Sequence, residues 1–160
     1  MSIHDKDSVL GLWRCMNETM TGVTKELLNS IGYEMKDDSE VEAFAKLGNT
    51  ATISEKDGGV VCSVMFDDPN IGDKMRPKFG PIQLYEPYEY FIPMEGKKQT
   101  FMMTEFSKNK VFFHLLIEPK DGRKLYIHES VEIVEKDVLA QVVRSPKANL
   151  ASRVLFKRIK

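Results

Sequence analysis

Cysteine is nearly missing from this sequence: Cys15 and Cys62 are the only two in 160 residues. Two thiols cannot build a disulfide framework, and their separation matches no metal-ligand spacing. Both are expected as small core or wall residues in a reducing compartment. Long apolar runs are missing as well, since none approaches the roughly 20 residues of a membrane span. The start, MSIHDKDSVLGLW, has neither the basic segment nor the apolar run of a secretory signal, so the expected location is cytoplasmic. Charge of one sign is also absent. Lys plus Arg number 23 against 24 for Asp plus Glu, a formal net charge of -1, which leaves no overall positive field for nucleic acid. The basic end Lys157-Arg158-Ile159-Lys160 is expected to be a solvated strand end that discourages edge-to-edge pairing.

Sets of residues that do chemistry are equally scarce. His4, His114 and His128 are scattered, no Gly-rich phosphate loop follows a strand, and no H-x-x-x-H or C-x-x-C pair occurs. His128 and Glu129 are neighbours on a strand and point to opposite faces, which prevents a simple dyad. The expectation is a protein that is not an enzyme and uses no metal and no cofactor. Internal repeats and low-complexity tracts are absent too. The length suits a single domain over 1–160 with one core, solid or hollowed.

What is present is mostly strand. Val9 to Met16 reads as a strand holding the single tryptophan, Trp13. The period then changes to helical over Thr21 to Ile31, through Val23, Leu27, Leu28 and Ile31, with Thr21 as N-cap and Gly32 as stop. Glu40 to Leu47 repeats this on a smaller scale after the turn Asp37-Asp38-Ser39. Thr50 to Glu55 and Val60 to Phe66, joined by Lys56-Asp57-Gly58-Gly59, predict a hairpin. Gln99 to Phe106, Lys110 to Ile117, Lys124 to Val131, Val138 to Val143 and Leu150 to Arg158 follow as strands separated by turn-prone stretches. Such regular spacing predicts an antiparallel meander closing into a barrel or sandwich. Five prolines between Pro69 and Pro93 complicate the middle, where one or two strands must still fit. Asp67 to Gly80 is expected as a long loop with Ile71, Met75 and Phe79 free to pack down as a lid or to decorate it.

The last strand, NLASRVLFKRIK, poses a problem of its own. Alternation puts Leu150, Ser152, Val154, Phe156 and Arg158 on one face and Ala151, Arg153, Leu155, Lys157 and Ile159 on the other. If the second face were buried, Arg153 would need a partner. A carboxylate on a neighbouring strand would serve, and so would a ligand. Phe112, His114 and Leu116 on one strand, with Tyr126, His128 and Ser130 on the next, give mixed polar and apolar sets that suit a pocket for an amphipathic molecule.

The order of these elements resembles the intracellular lipid-binding proteins, the fatty-acid-binding and cellular retinoid-binding family. The resemblance rests on Gly11-Leu12-Trp13, the two short helices, the hairpin at Lys56-Asp57-Gly58, the meander and the terminal Ser152-Arg153-Val154, and it spans roughly Val9 to Lys160. It implies an all-β fold, a roughly ten-stranded antiparallel up-and-down β-barrel of the lipocalin-like (calycin) type, with a two-helix lid at about 21–47. It also implies non-covalent binding and transport of a long-chain fatty acid or related hydrophobic ligand by a monomer, with transient membrane contact through the lid. A retinoid or other lipid signal is the alternative cargo, and a protein or membrane interaction module is the alternative role. The ligand-binding residues implied are Arg153 as carboxylate anchor, Leu155 in place of a family tyrosine and His128 in place of a second arginine. Tyr126, Phe112 and Met65 are expected in the wall, and Phe44 and Phe79 at the portal.

Overall fold

A computed structural model describes residues 7–68, 78–92 and 96–159. Ten antiparallel strands and two helices follow one another as β1 (Gly11–Thr21), α1 (Lys25–Ser30), α2 (Asp38–Lys46), β2 (Asn49–Lys56), β3 (Gly59–Phe66), β4 (Lys78–Ile82), β5 (Tyr88–Ile92), β6 (Lys97–Phe106), β7 (Lys110–Glu118), β8 (Leu125–Glu135), β9 (Val138–Ser145) and β10 (Leu150–Arg158). The single sheet runs β4-β3-β2-β1-β10-β9-β8-β7-β6-β5 and curls into a nearly closed barrel. The predicted meander is therefore correct: every pair of consecutive strands is paired in the sheet except β4 and β5, and β1 pairs with β10 as well.

The hairpins are set by their turns. Asp57 and Gly58 both take positive φ, 53° and 80°, the pair of conformations that a two-residue hairpin turn needs between β2 and β3. Between β4 and β5, the two ends of the sheet, the strands do not form a regular ladder. Side chains fill that seam: Phe79 of β4 stacks on Phe101 of β6 at 4.9 Å and meets Tyr90 of β5 at 6.1 Å. Leu84 forms an isolated bridge with Met103, and the Tyr85 N–H donates to the Met103 carbonyl at 2.9 Å.

Several expectations are corrected. β1 does not stop near Met16 but continues past a register shift to Thr21, which pairs with Arg153. Thr21 consequently ends a strand and caps no helix. Gly22, with φ 75°, turns the chain so closely over β10 that any Cβ there would strike the Ala151 carbonyl. The cap of α1 is Thr24, whose hydroxyl accepts from the Leu27 N–H at 3.1 Å, and Asp37 caps α2 through the Glu40 N–H at 3.0 Å. The expected loop at Asp67 to Gly80 is partly strand, because Phe79 and Gly80 belong to β4. Ile71 and Met75 lie outside the described residues.

The helices lie across one opening. Leu27 and Leu28 of α1 and Val41 of α2 are buried, and Tyr33 packs on Phe44 with ring centroids 5.5 Å apart. Asn17 of β1 ties the end of α2 down, donating to the carbonyls of Ala45 at 2.8 Å and Leu47 at 3.1 Å. A packed region holds Val9, Leu10 and Trp13, with the Trp13 indole N–H donating to the Val9 carbonyl at 2.9 Å. Arg158 belongs to this region too, which corrects the solvated-end reading for that residue: it is opposite Trp13, and its side chain is only 10% exposed.

Candidate functional site

The interior also holds a cavity of about 230 Å³ under the helices. Strand alternation decides what its wall contains. β7 turns Val111, Phe113, Leu115 and Ile117 inward, β8 Ile127, Glu129 and Val131, β9 Gln141 and Val143, and β10 Ser152, Val154 and Phe156. The lid contributes Leu28, Ile31, Tyr33, Phe44 and Leu47. The lining is thus mainly aliphatic and aromatic, as expected of a site that holds an apolar molecule.

Asn49, Thr52 and Ser63 are the polar residues of the lining on β2 and β3, and on β6 and β8–β10 the polar groups fall at two levels. Registry places Ser152, Val143, Glu129, Phe113 and Met103 in one row across five strands, with Val154, Gln141, Val131 and Val111 in the next. Gln141 Nε2 donates to Glu129 Oε1 at 3.0 Å, diagonally between these rows. The second level is the row of Gln99, Ile117 and Leu125, four residues along β7 and so roughly 13 Å away. Gln99 is only 2% exposed, and its Oε1 is buried without a hydrogen-bond partner.

The sequence-predicted site residues separate into two groups. Phe44 and Phe79 line the cavity. Arg153 borders it but is exposed, on the face of β10 opposite Ser152 and Val154, so it stands at the rim and not in the interior. Leu155 shares that outer face. Phe112, Tyr126 and His128 lie on the outer faces of β7 and β8, with Tyr126 63% exposed, and Met65 is 73% exposed on β3. The inward orientation expected of these residues is corrected by one physical fact. On β7 and β8 the more apolar alternate set takes the interior and carries Glu129 in with it.

Outside the barrel, His114 and His128 are cross-strand partners with ring centroids 4.8 Å apart, and Phe112 packs on both. Burial holds the His128 imidazole below its ordinary pKa, and the neighbouring His114 and Arg144 add to this. Neither cysteine is in a disulfide, and both line the cavity. Burial pushes the Cys15 thiol up, against the pull of Arg14. Glu129, Gln141, Gln99 and Ser152 are the residues that sequence reasoning missed. A signal for the first existed: Leu125, Ile127 and Val131 make the alternate face of β8 the more apolar one.

No family model and no curated protein matches this sequence. Solved structures do match in shape. Lipid binding protein 8 of Caenorhabditis elegans, in its apo form, superposes with a TM-score of 0.68 at 15% identity, over 94% of this chain and 94% of its own. The Schistosoma mansoni fatty acid binding protein, solved with arachidonic acid, gives 0.66 at 11% identity over 97% and 98%. An abundant heat soluble (SAHS) protein of Ramazzottius varieornatus gives 0.70 at 12% identity over 99% and 100%. The fold of this chain is that of the fatty-acid-binding proteins and their calycin-like relatives.

Proposed function

We propose that the protein binds a long-chain fatty acid or a related single-tailed lipid in the barrel cavity, reversibly and without covalent chemistry, and carries it through the cytosol as a monomer. The observation that supports this best is the wall itself, a continuous apolar surface from Val111, Leu115, Ile117, Val154 and Phe156 roofed by Leu28 and Phe44. Each methylene buried there contributes roughly 0.8 kcal/mol, so a long tail offers on the order of 10 kcal/mol before ordering costs are subtracted. At about 230 Å³ the cavity is smaller than the roughly 300–1,000 Å³ of common ligand sites, so a tail displaces flexible wall residues such as Met20 as it enters.

In this reading the two helices are the gate. Phe44 and Leu47 stand at the portal, Arg153 stands at its rim, and the helices make transient contact with membranes when cargo is exchanged. An interaction module would be better served by a solid interior, and the cavity argues against that role. Among the described residues no helix is long and apolar enough to cross a membrane.

Native mass spectrometry of freshly purified protein tests the proposal, with the neutral dye Nile red as a second probe. A co-purifying lipid near one per chain, or saturable Nile red fluorescence reversed by a long-chain lipid, is the expected result. Protein that carries no lipid and leaves the dye dark is not a lipid carrier.

A further inference from the structure

Charge inside the cavity has the wrong sign for a fatty acid. Of the side chains lining it among the described residues, only Glu129 and Arg153 are charged, and Arg153 is exposed at the rim. Deeper in the wall the charge is Glu129, a half-buried carboxylate surrounded by Phe113, Val131, Val143 and Val154. It is held there by an adjacent strand, because the Gln141 amide spends one of its N–H groups on Oε1. An ionised carboxylate can accept about four hydrogen bonds, so this single side-chain donor leaves much of its capacity to whatever fills the cavity.

The second polar level presents the same kind of group. Gln99 Oε1 is an acceptor, buried on the cavity wall, with no donor to satisfy it. Buried acceptors without donors are costly, so a head group that brings donors to the Glu129 carboxylate is complementary to it, while Gln99, roughly 13 Å along the wall, is beyond the reach of the same head. A carboxylate head beside Glu129 would instead be repelled, in surroundings too apolar to screen the repulsion fully.

We propose that Glu129 is the head-group receptor, and that it selects a single-tailed amphiphile whose head donates hydrogen bonds, a primary amine or alcohol, over the fatty acid of the same tail. The proposal rests on the lipid-carrier reading above and narrows it. Glu129 supplies the charge and two or more acceptor positions, Gln141 fixes its orientation, and the aliphatic rows on either side take the start of the tail. Arg153, standing at the rim, is not part of this receptor.

The test compares dodecylamine, dodecan-1-ol and dodecanoate, all below their aggregation concentrations at neutral pH, as displacers of Nile red from the full chain. The amine is expected to bind at least about tenfold more tightly than dodecanoate, with the alcohol between them. In Glu129→Gln, which keeps size and hydrogen bonding but removes the charge, the amine should weaken by about tenfold while dodecanoate tightens. Dodecanoate binding as tightly as the amine in the unaltered protein overturns the proposal, and so does an amine preference that survives Glu129→Gln. The comparison on the unaltered protein decides the matter even if the variant fails to fold. Failure of Nile red and all three amphiphiles to bind would instead sink the carrier reading itself.

Discussion

The guanidinium carbon of Arg158 lies 4.2 Å from the centroid of the Trp13 ring, and its nitrogens reach Asp137 Oδ1 at 3.0 Å, the Leu10 carbonyl at 2.9 Å and the Ser8 carbonyl at 2.6 Å. One planar side chain therefore covers the tryptophan, neutralises a carboxylate and satisfies two carbonyls of the segment leading into β1. Gly11 makes room for it: at φ 145° a Cβ there would meet Arg158 Nη1 at 2.6 Å. Arg158→Met removes the guanidinium from the Asp137 carboxylate, which is 18% exposed, and from the carbonyls of Leu10 and Ser8. The expected loss is roughly 3 kcal/mol in urea unfolding. Arg158→Lys should recover only part of it, because an ammonium cannot span the same set of acceptors. Equal stability of Arg158→Met and the parent would show that this cluster contributes nothing net.

His128 gives a prediction in pH. Its folded pKa is depressed, mainly by burial and further by His114 and Arg144, while the unfolded chain titrates near 6.5. Below about pH 6.5 the unfolded state therefore takes up a proton that the folded state resists. Stability falls as pH drops from there toward the folded pKa and levels off beneath it. His128→Asn should reduce that acid-side loss, as read from urea midpoints at pH 7.5 and 5.0. Because the imidazole is on the outer face, the same substitution should leave lipid affinity unchanged. An NMR titration placing the His128 pKa at or above the ordinary value would contradict this.

Asn17→Ala probes the lid. It deletes both hydrogen bonds that hold the end of α2 to β1 and leaves the cavity wall untouched. A loss of roughly 1 kcal/mol from the closed lid corresponds to about a fivefold rise in exchange rate. Stopped-flow entry and exit of a fluorescent lipid should both accelerate by that order with little change in equilibrium affinity. Unchanged rates would mean that cargo enters by another route.

Phe79→Ala tests the seam. Phe79 is buried, lines the cavity, and joins β4 to the aromatic side chains of β5 and β6. Its truncation should cost roughly 3–5 kcal/mol. It should also raise amide exchange in β4 and β5 before the other strands, since these two are tied to each other by side chains and not by a ladder. Exchange that rises evenly around the barrel would show that the seam is not a separate weak line.

Strands and turns were legible in the sequence because each has a local cause, such as Asp57-Gly58 between two alternating runs. The faces were less legible. On β10, Arg153 and Arg158 lie five residues apart and so fall on opposite faces, and each face carries two or three apolar residues. The terminal Ser152-Arg153-Val154 favoured Arg153 as the inward arginine, whereas the sheet turns Arg158 in beside Trp13. On β7 the apolar count alone would have decided correctly, with Val111, Phe113, Leu115 and Ile117 against a set containing His114. Glu129 stayed hidden for a different reason. A charge on an otherwise apolar face reads as evidence against burial, and only the cavity explains why it can be there.

The order of the sheet also bears on how the protein survives in a crowded solution. Its two terminal strands, β4 and β5, would each present a row of unpaired backbone groups to any passing chain if the sheet lay open. Curling brings those rows to face one another, and Phe79, Tyr90 and the Leu84–Met103 bridge occupy the space between them. The places where another polypeptide could add a strand are thus turned toward each other, so the barrel guards against aggregation at the same seam where it is least firmly joined.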